Sequence, residues 1–109
     1  MKLVIAIVQD EDVDDLLNGL RTARFGATHI GSSGGLLRAG NSTVLIGVPA
    51  VQVDAVRAII RQHCRRRTQF APPPTPALEP GLFAMPESFE VEVGGAIVFI
   101  RPIERFEQL

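Results

Sequence analysis

The segment best suited to binding chemistry is residues 34–41, with the sequence GGLLRAGN, which is followed by Ser42 and Thr43. Closely spaced glycines allow backbone N–H groups to approach an anion, and Asn41 with the two hydroxyls adds neutral polar partners. The segment lacks the lysine of a Walker loop, and it lacks the third glycine and the helix of a dinucleotide fingerprint. Its composition is consistent with ligand contact and equally with a plain hairpin connection.

A second group of chemically capable side chains comprises Arg61, Arg65, Arg66 and Arg67. Such a group suits a phosphate or nucleic-acid patch, but arginines at this place also complement the negative end of a helix. The eleven basic and twelve acidic residues give the chain a formal charge of −1, and Phe is its only aromatic type. We therefore favour the helix-end role and expect no binding to nucleic acid.

His29, His63 and Cys64 are residue types found in metal and nucleophilic sites, but their spacing fits neither. Only His63 and Cys64 are neighbours, and no carboxylate joins them at a ligand spacing. No nucleophile has a base and an orienting partner. The sequence predicts that the protein is not an enzyme, holds no metal and uses no cofactor, with Cys64 an inert apolar residue.

The elements that position these residues form one α+β domain over residues 1–109. Apolar, β-rich runs predict strands at residues 3–8, 27–33 and 43–48, and residues 89–103 supply the last strand, with a turn or bulge at residues 94–95. Two helices separate these strands. The order β-α-β-β-α-β predicts a ferredoxin-like fold, an antiparallel sheet with two helices on one face.

Apolar residues at helical spacing define the two helices. We expect Asp10 or Asp12 to cap the first helix and Gly26 to end it, and Pro49 to begin the second. The predicted buried stripes are Val13, Leu16, Leu17 and Leu20 in the first helix, and Val53, Val56, Ile59, Ile60 and His63 in the second.

A proline-rich stretch interrupts the second half of the chain. Six prolines fall between Thr68 and Ser88, which leaves few amide donors for regular structure. We predict a long loop at about residues 66–88. It is not a domain boundary, because the strand-sized segment after it must return to the same core.

The predicted strands are apolar at consecutive positions, which is unusual for a sheet covered by helices on one face. The second face is then apolar too, and a monomer would expose more of it than soluble monomers tolerate. Either the proline-rich loop folds back over this face, or several copies of the chain pack their sheets together. We favour a homo-oligomer, in which symmetry repeats any site at the subunit boundary.

The chain shows no signal for export or for a membrane. No apolar run reaches the roughly 18 residues that span a bilayer, and the beginning of the sequence does not resemble a secretory signal. The single cysteine cannot form an intramolecular disulfide. We expect a cytoplasmic protein.

Three segments together resemble the cyclic-di-AMP receptor family of PII-like signalling proteins. The matching segments are residues 5–10 (IAIVQD), residues 34–41 (GGLLRAGN) and residues 91–96 (VEVGGA), with Phe25, residues 27–28 and residues 98–99 between and beyond them. The resemblance extends to Phe106 and Gln108. The second and third segments are specific in combination.

The resemblance implies a ferredoxin-like homotrimer with three equivalent nucleotide sites in the clefts between subunits. It also implies loops that rearrange on ligand binding and change contact with an unidentified protein target. The family's ligand contacts match these positions of the chain: Thr28, Gly35, Leu37, Asn41, Gly47, Phe99 and Gln108. Thr28 and Asn41 are suited to phosphate or base edges, Phe99 to an apolar wall and Gln108 to an adenine edge.

Three positions depart from the pattern of ligand-binding family members. Arg24 replaces an asparagine, Gly26 an arginine, and Leu36 a phenylalanine able to stack on adenine. The loss of the charge and the loss of the ring each remove about 1–3 kcal/mol of binding free energy. We expect weaker binding of cyclic di-AMP, by roughly 30-fold or more.

The sequence thus predicts a regulatory protein that binds cyclic di-AMP, or a related adenine nucleotide, at trimer clefts. The alternative is a trimeric protein-interaction module that uses its proline-rich loop and binds no nucleotide. A metal-tolerance protein of similar trimeric fold is a third hypothesis, which the missing ligand spacing disfavours.

Overall fold

A computed structural model describes residues 1–31, 40–71 and 89–109 of the chain. A short 3-10 turn, Ala50–Gln52, leads into the second helix. In these ranges the elements are, in chain order, β1 (Lys2–Gln9), α1 (Asp10–Thr22), β2 (Thr28–Ile30), β3 (Asn41–Val48), α2 (Val53–His63), β4 (Arg67–Ala71), β5 (Phe89–Val93) and β6 (Ala96–Pro102). Neither helix in this part of the chain has the length and apolar character needed to cross a bilayer.

The main sheet has four strands in the order β2-β3-β1-β6, and every neighbouring pair is antiparallel. Strands β2 and β6 are its two edges. Strand order and helix placement confirm the predicted ferredoxin-like α+β fold. The second strand is shorter than residues 27–33, since β2 covers Thr28–Ile30, and residues 32–33 lie outside the described ranges.

The core lies between the sheet and the two helices, on what we call the inner face of the sheet. Side chains alternate along β1 and β3, with every second residue fully buried under the helices. Both predicted helical stripes are confirmed, since their members are buried in this core or packed against it, apart from His63. The ring of His63 instead faces Gly19, where a Cβ would lie 2.5 Å from its Nε2 atom.

The predicted caps of α1 are wrong at both ends. Gln9 is the N-cap and makes no side-chain capping bond, because Asp10 is already the first helical residue. At the other end α1 stops at Thr22, before the predicted Gly26. Arg24 takes the left-handed conformation (φ 65°) that glycine usually supplies there, and the Arg24 and Phe25 amides close a Schellman motif.

The proline-rich region begins with a strand, so the prediction of loop from Thr68 onward is wrong for its first residues. The prolines start only at position 72, so all amides of Arg67–Ala71 are available as donors. This segment, β4, pairs antiparallel with β5 in a separate two-stranded sheet. Residues 72–88 lie outside the described ranges.

The predicted last strand is in fact two strands that belong to different sheets. Strand β5 pairs with β4, whereas β6 pairs with β1 in the main sheet. Gly94 and Gly95 lie between them with φ values of 88° and 83°. The glycine pair therefore marks the place where the chain passes from one sheet to the other.

Candidate functional site

Four of the residues implied by the resemblance, Thr28, Asn41, Gly47 and Phe99, lie on the face of the main sheet that points away from the helices, which we call the outer face. Thr28 pairs with Leu45, Leu45 with Ile5, and Ile5 with Phe99. Residues directly opposite each other in a sheet share a face, so these four form one row across all four strands. Thr28 and Phe99 stand at opposite edges, roughly 14 Å apart at the usual strand spacing.

Asn41 and Gly47 are also on the outer face, at opposite ends of β3. They alternate with the buried residues of the strand, which point to the helices. Six residues separate them, or roughly 20 Å along an extended strand. One copy of the chain therefore does not bring Thr28, Asn41, Gly47 and Phe99 together around a small ligand.

The remaining predicted residues are at the chain's C-terminal end or outside the described ranges. Gln108 is exposed in the segment after β6. In the same segment the ring of Phe106 rests on Gly47, whose Cβ, if present, would lie 3.4 Å from the ring. Gly35 and Leu37 lie within residues 32–39 and are not described.

A cavity of about 520 Å³ opens at the end of the main sheet where β1 stops and where β3 and β6 begin. The register explains the assembly, since Gln9 pairs with Asn41 and Val8 pairs with Ala96. The lining residues are Ile7, Gln9, Asn41, Arg66, Gly94, Gly95, Ala96 and Ile97. Its size is that of a small-molecule site, and two side-chain amides, a guanidinium and two glycines lie in its wall.

Both glycines of this wall adopt a backbone conformation that side chains rarely take, and close packing adds to this at Gly94. A Cβ on Gly94 would lie 2.1 Å from the carbonyl oxygen of Arg65, and a Cβ on Gly95 would lie 3.0 Å from Cγ of Arg66. Their amides donate to different elements of the fold. The Gly94 N–H donates to Oε1 of Gln9 at 2.7 Å, and the Gly95 N–H donates to the carbonyl of Cys64 at 2.6 Å.

The junction between β1 and α1, residues 9–12, is hydrogen-bonded to residues around the start of β3 and at the base of the β4–β5 hairpin. The Asp10 amide donates to the carbonyl of Gly40 at 2.8 Å, and the Ser42 hydroxyl donates to the Asp10 carboxylate. Gly40 and Ser42 immediately follow residues 32–39. On the other side, Gln9 accepts from Gly94 at the base of the β4–β5 hairpin.

Arg67 fastens the other strand of the hairpin to the same junction. Its Nη2 donates to Oδ1 of Asp12 at 2.8 Å, and Glu11 lies 3.6 Å away. Asp12 is buried, and its hydrogen bond raises the pKa of Arg67 above the ordinary value. The prediction that Arg67 complements a helix C-terminus is therefore wrong, because α2 ends at His63 and Arg67 is paired with Asp12 in the first turn of α1.

The outer face is apolar, as predicted. Leu3, Ile5, Ile7 and Leu45 are only half-buried, although the alternate residues of the same strands are fully buried. At the edges Ile97 is 58% exposed and Phe99 51% exposed. A face this apolar on a sheet is typical of a surface that another chain covers.

Cys64 does not behave as a nucleophile. Its side chain is buried in the core, and this burial, with a smaller effect of nearby Asp12, raises the thiol pKa from 9.0 to about 11. The thiol is therefore protonated at neutral pH. No group of three or more His, Cys, Asp or Glu residues suited to a metal ion occurs among residues 1–31, 40–71 and 89–109.

The sequence analysis missed two residues of the cavity. Gln9 was included only as part of the first matching segment, IAIVQD, and was given no role. Arg66 was grouped with the helix-end arginines, whereas it lines the cavity. Its signal was its distance from α2, which ends three residues earlier.

Fold and cavity define a ferredoxin-like α+β domain with a candidate ligand cleft at the end of its sheet. The profile of the cyclic-di-AMP receptor family matches residues 1–109, and the chain belongs to that family. The chain is also similar to the crystal structure of a functionally unknown protein from Pediococcus pentosaceus ATCC 25745. The two are 35% identical over 99% of this chain and 96% of the other, with a TM-score of 0.74.

Proposed function

We propose that this protein is a PII-like signalling protein that binds cyclic di-AMP, or a related adenine nucleotide, in the clefts between the subunits of a homotrimer. The observation that carries the proposal is the family match over the whole chain. The receptor family also favours a role without catalysis. A free, buried Cys64 suits a reducing compartment, and we place the protein in the cytoplasm.

The distribution of the predicted ligand residues supports sites between subunits. Thr28 on edge strand β2 and Phe99 on edge strand β6 share the apolar outer face but lie at opposite edges of the sheet. In a ring with cyclic symmetry, one edge of each sheet approaches the other edge of its neighbour. Residues that one chain keeps apart then converge at each boundary, and Asn41 contributes from the cavity at the sheet's end.

The β1–α1 junction supplies a route for relaying the ligand state. Asp10 is tied to Gly40 and Ser42, next to the segment that carries Gly35 and Leu37. Gln9 and Asp12 are tied to the two strands at the base of the hairpin. A ligand that repositions residues 34–41 would therefore shift the β1–α1 junction. Because the junction is bonded to the hairpin, this shift would change the surface that the hairpin presents to a protein target.

Calorimetric titration tests the ligand directly. We expect saturable heat with cyclic di-AMP at one ligand per subunit, and weaker or no heat with ATP, ADP and AMP. A ligand-dependent rise in melting temperature should accompany it. The ligand assignment fails if none of these nucleotides gives heat with protein at tens of micromolar concentration.

The variant Gly26→Arg restores the charge that ligand-binding relatives carry. A side chain fits there, because nothing lies within 4 Å of a Cβ at this exposed position. We expect cyclic di-AMP affinity to rise about tenfold, the value of one charge-assisted hydrogen bond. Gly26→Gln is the matched neutral control, and an equal rise in both variants would show that the arginine's charge is not the cause.

A nucleotide-free interaction module is the second candidate. It is favoured by the separate β4–β5 sheet, whose two strands pair with each other and not with the main sheet. This candidate predicts that a target protein binds equally with and without nucleotide, and that shortening residues 72–88 abolishes the binding. Nucleotide-dependent capture of the target would exclude it.

A further inference from the structure

A second cavity, of about 360 Å³, lies between α2 and β6 on the inner side of the sheet. We call it the arginine cavity, because its wall includes Arg57, Arg61, Arg65 and Arg66. Its apolar floor contains Ile60 and Val98, and no carboxylate lines it among the residues that the structure describes. The concentration of positive charge is notable in a chain with a formal charge of −1.

The fold itself does not require this series of arginines. Arg57 and Arg61 are four residues apart on one side of α2, and Arg65 follows two residues after the helix ends. Like charges at this spacing repel each other and destabilise a helix. The negative end of the helix dipole accounts for Arg61, which is in the last turn, but its effect does not reach back to Arg57.

Two of the four guanidinium groups have no protein partner in the described ranges. Arg57 is 3.3 Å from Asp54, one turn earlier in α2, and Arg66 has an interaction of its own. The side chains of Arg61 and Arg65 form no hydrogen bond or ion pair with any described residue. These two guanidinium groups, next to the apolar side chains of the cavity, are therefore available to bind an anionic ligand.

We propose that the arginine cavity binds the dianionic phosphate group of a small phosphate monoester, whose organic part packs on Ile60 and Val98. A phosphate monoester carries close to two negative charges at neutral pH, which matches the two unpartnered guanidinium groups. Arginine is suited to this ligand because its planar fork of donors fits phosphate oxygens. Each phosphodiester of a cyclic dinucleotide has one charge only, so this site is distinct in its preference from the proposed nucleotide cleft.

Ribose 5-phosphate is a suitable probe, with ribose as its uncharged counterpart. In calorimetry at low salt, we expect saturable binding of ribose 5-phosphate to the full chain and no binding of ribose. Arg61→Gln should weaken binding about tenfold or more, since it removes a charge-assisted contact. Arg21→Gln is the matched control, because Arg21 is the basic residue in the last turn of α1 and its removal changes the net charge equally.

Besides one cyclic di-AMP result given below, three results of the ribose 5-phosphate titrations would overturn the proposal. They are the absence of saturable binding in the millimolar range, equal binding of ribose, and an equal loss of affinity in Arg61→Gln and Arg21→Gln, which would indicate diffuse attraction only. Cyclic di-AMP titrations of the same variants separate this proposal from the proposed function. A wild-type protein that binds ribose 5-phosphate but not cyclic di-AMP would contradict only the latter, and loss of cyclic di-AMP binding in Arg61→Gln would assign the arginines to the nucleotide cleft instead.

Discussion

The two faces of the main sheet are built from similar apolar residues but differ in what covers them. On β3, Val44 is fully buried beneath the helices, whereas its neighbour Leu45 on the outer face is only half-buried. The chain's own helices cover the inner face with the apolar residues of their two stripes. The outer face stays partly exposed in the described residues, and four of the predicted ligand residues, Thr28, Asn41, Gly47 and Phe99, are on it. The difference teaches that the core uses one face of the sheet and leaves these predicted ligand residues on the other.

The largest effect should come from placing a charge on each face in turn. Val44→Asp buries an unpaired carboxylate, which costs several kcal/mol against a typical total stability of about 5–15 kcal/mol, so the chain should not fold. Leu45→Asp places the same charge one residue away on the outer face. We expect it to keep the circular dichroism spectrum of a folded protein but to elute as a monomer, and we expect the wild type to elute as the proposed trimer.

This pair of variants tests the comparison directly. If the wild type itself sedimented as a stable monomer, the outer face would need another cover and the subunit clefts would not exist. If Leu45→Asp unfolded as completely as Val44→Asp, the two faces would not differ in their roles.

The second effect concerns the glycine pair that joins the two sheets. Gly94→Ala forces a side chain into a left-handed conformation and against the Arg65 carbonyl, so we expect a loss of about 2–3 kcal/mol in the free energy of unfolding. Gly26→Ala is the control, since its Cβ meets nothing within 4 Å, and it should change stability by less than about 0.5 kcal/mol. Denaturant unfolding measures both, and similar values for the two would refute the close packing at Gly94.

Alkaline titration should sharpen the account of the inner face. The pKa of Cys64 is about 11 in the folded chain and 9.0 as a reference value, so the unfolded chain releases the thiol proton more readily. The resulting stability is fully present below pH 9.0 and is lost as the pH rises through about 11. We expect a loss on the order of 2 kcal/mol over this interval.

Cys64→Ala should remove this dependence. Its free energy of unfolding should be lower at neutral pH, because a buried side chain is truncated, but flatter between pH 9.0 and 11. All other groups are the same in both proteins, so their contributions to the pH dependence cancel in the comparison. Parallel pH profiles of the two proteins would show that Cys64 is not desolvated.

The smallest effect should come from the tie between the junction and the hairpin. Asp12→Ala removes a charge-assisted hydrogen bond to Arg67, which can then turn towards water, so the expected cost is about 1.5 kcal/mol. Asp14→Ala removes an exposed carboxylate from the same helix and should cost less than about 0.5 kcal/mol. Thermal unfolding distinguishes the two, and equal shifts would contradict a specific role for Asp12.

Sequence patterns predicted the fold well because the core rests on local periodicity. The stripes of α1 and α2 and the apolar strands can each be recognised within a dozen residues. The helix ends were predicted wrongly, since Arg24 rather than a glycine adopts the left-handed conformation. Strand β4 was missed because its partner, β5, lies beyond the proline-rich segment, and pairing across such a distance leaves no local signal.

The candidate site was predicted less completely, for a related reason. The motif residues Asn41 and Gly94 were recognisable in sequence, and the structure places both at the cavity. The pairing of Arg67 with Asp12, by contrast, joins residues 55 positions apart. Only the register of the main sheet reveals that Thr28 and Phe99 share a row but stand on opposite edges.

The hydrogen bonds of the Gly94 and Gly95 amides to different partners have a practical consequence for spectroscopy. Deuterium exchange at the Gly94 amide reports on the hydrogen bond to Gln9, and exchange at the Gly95 amide reports on the carbonyl of Cys64. The two adjacent amides thus act as separate probes, one for the end of β1 and one for the end of α2, and a titration followed at both would show which of the two a ligand affects first.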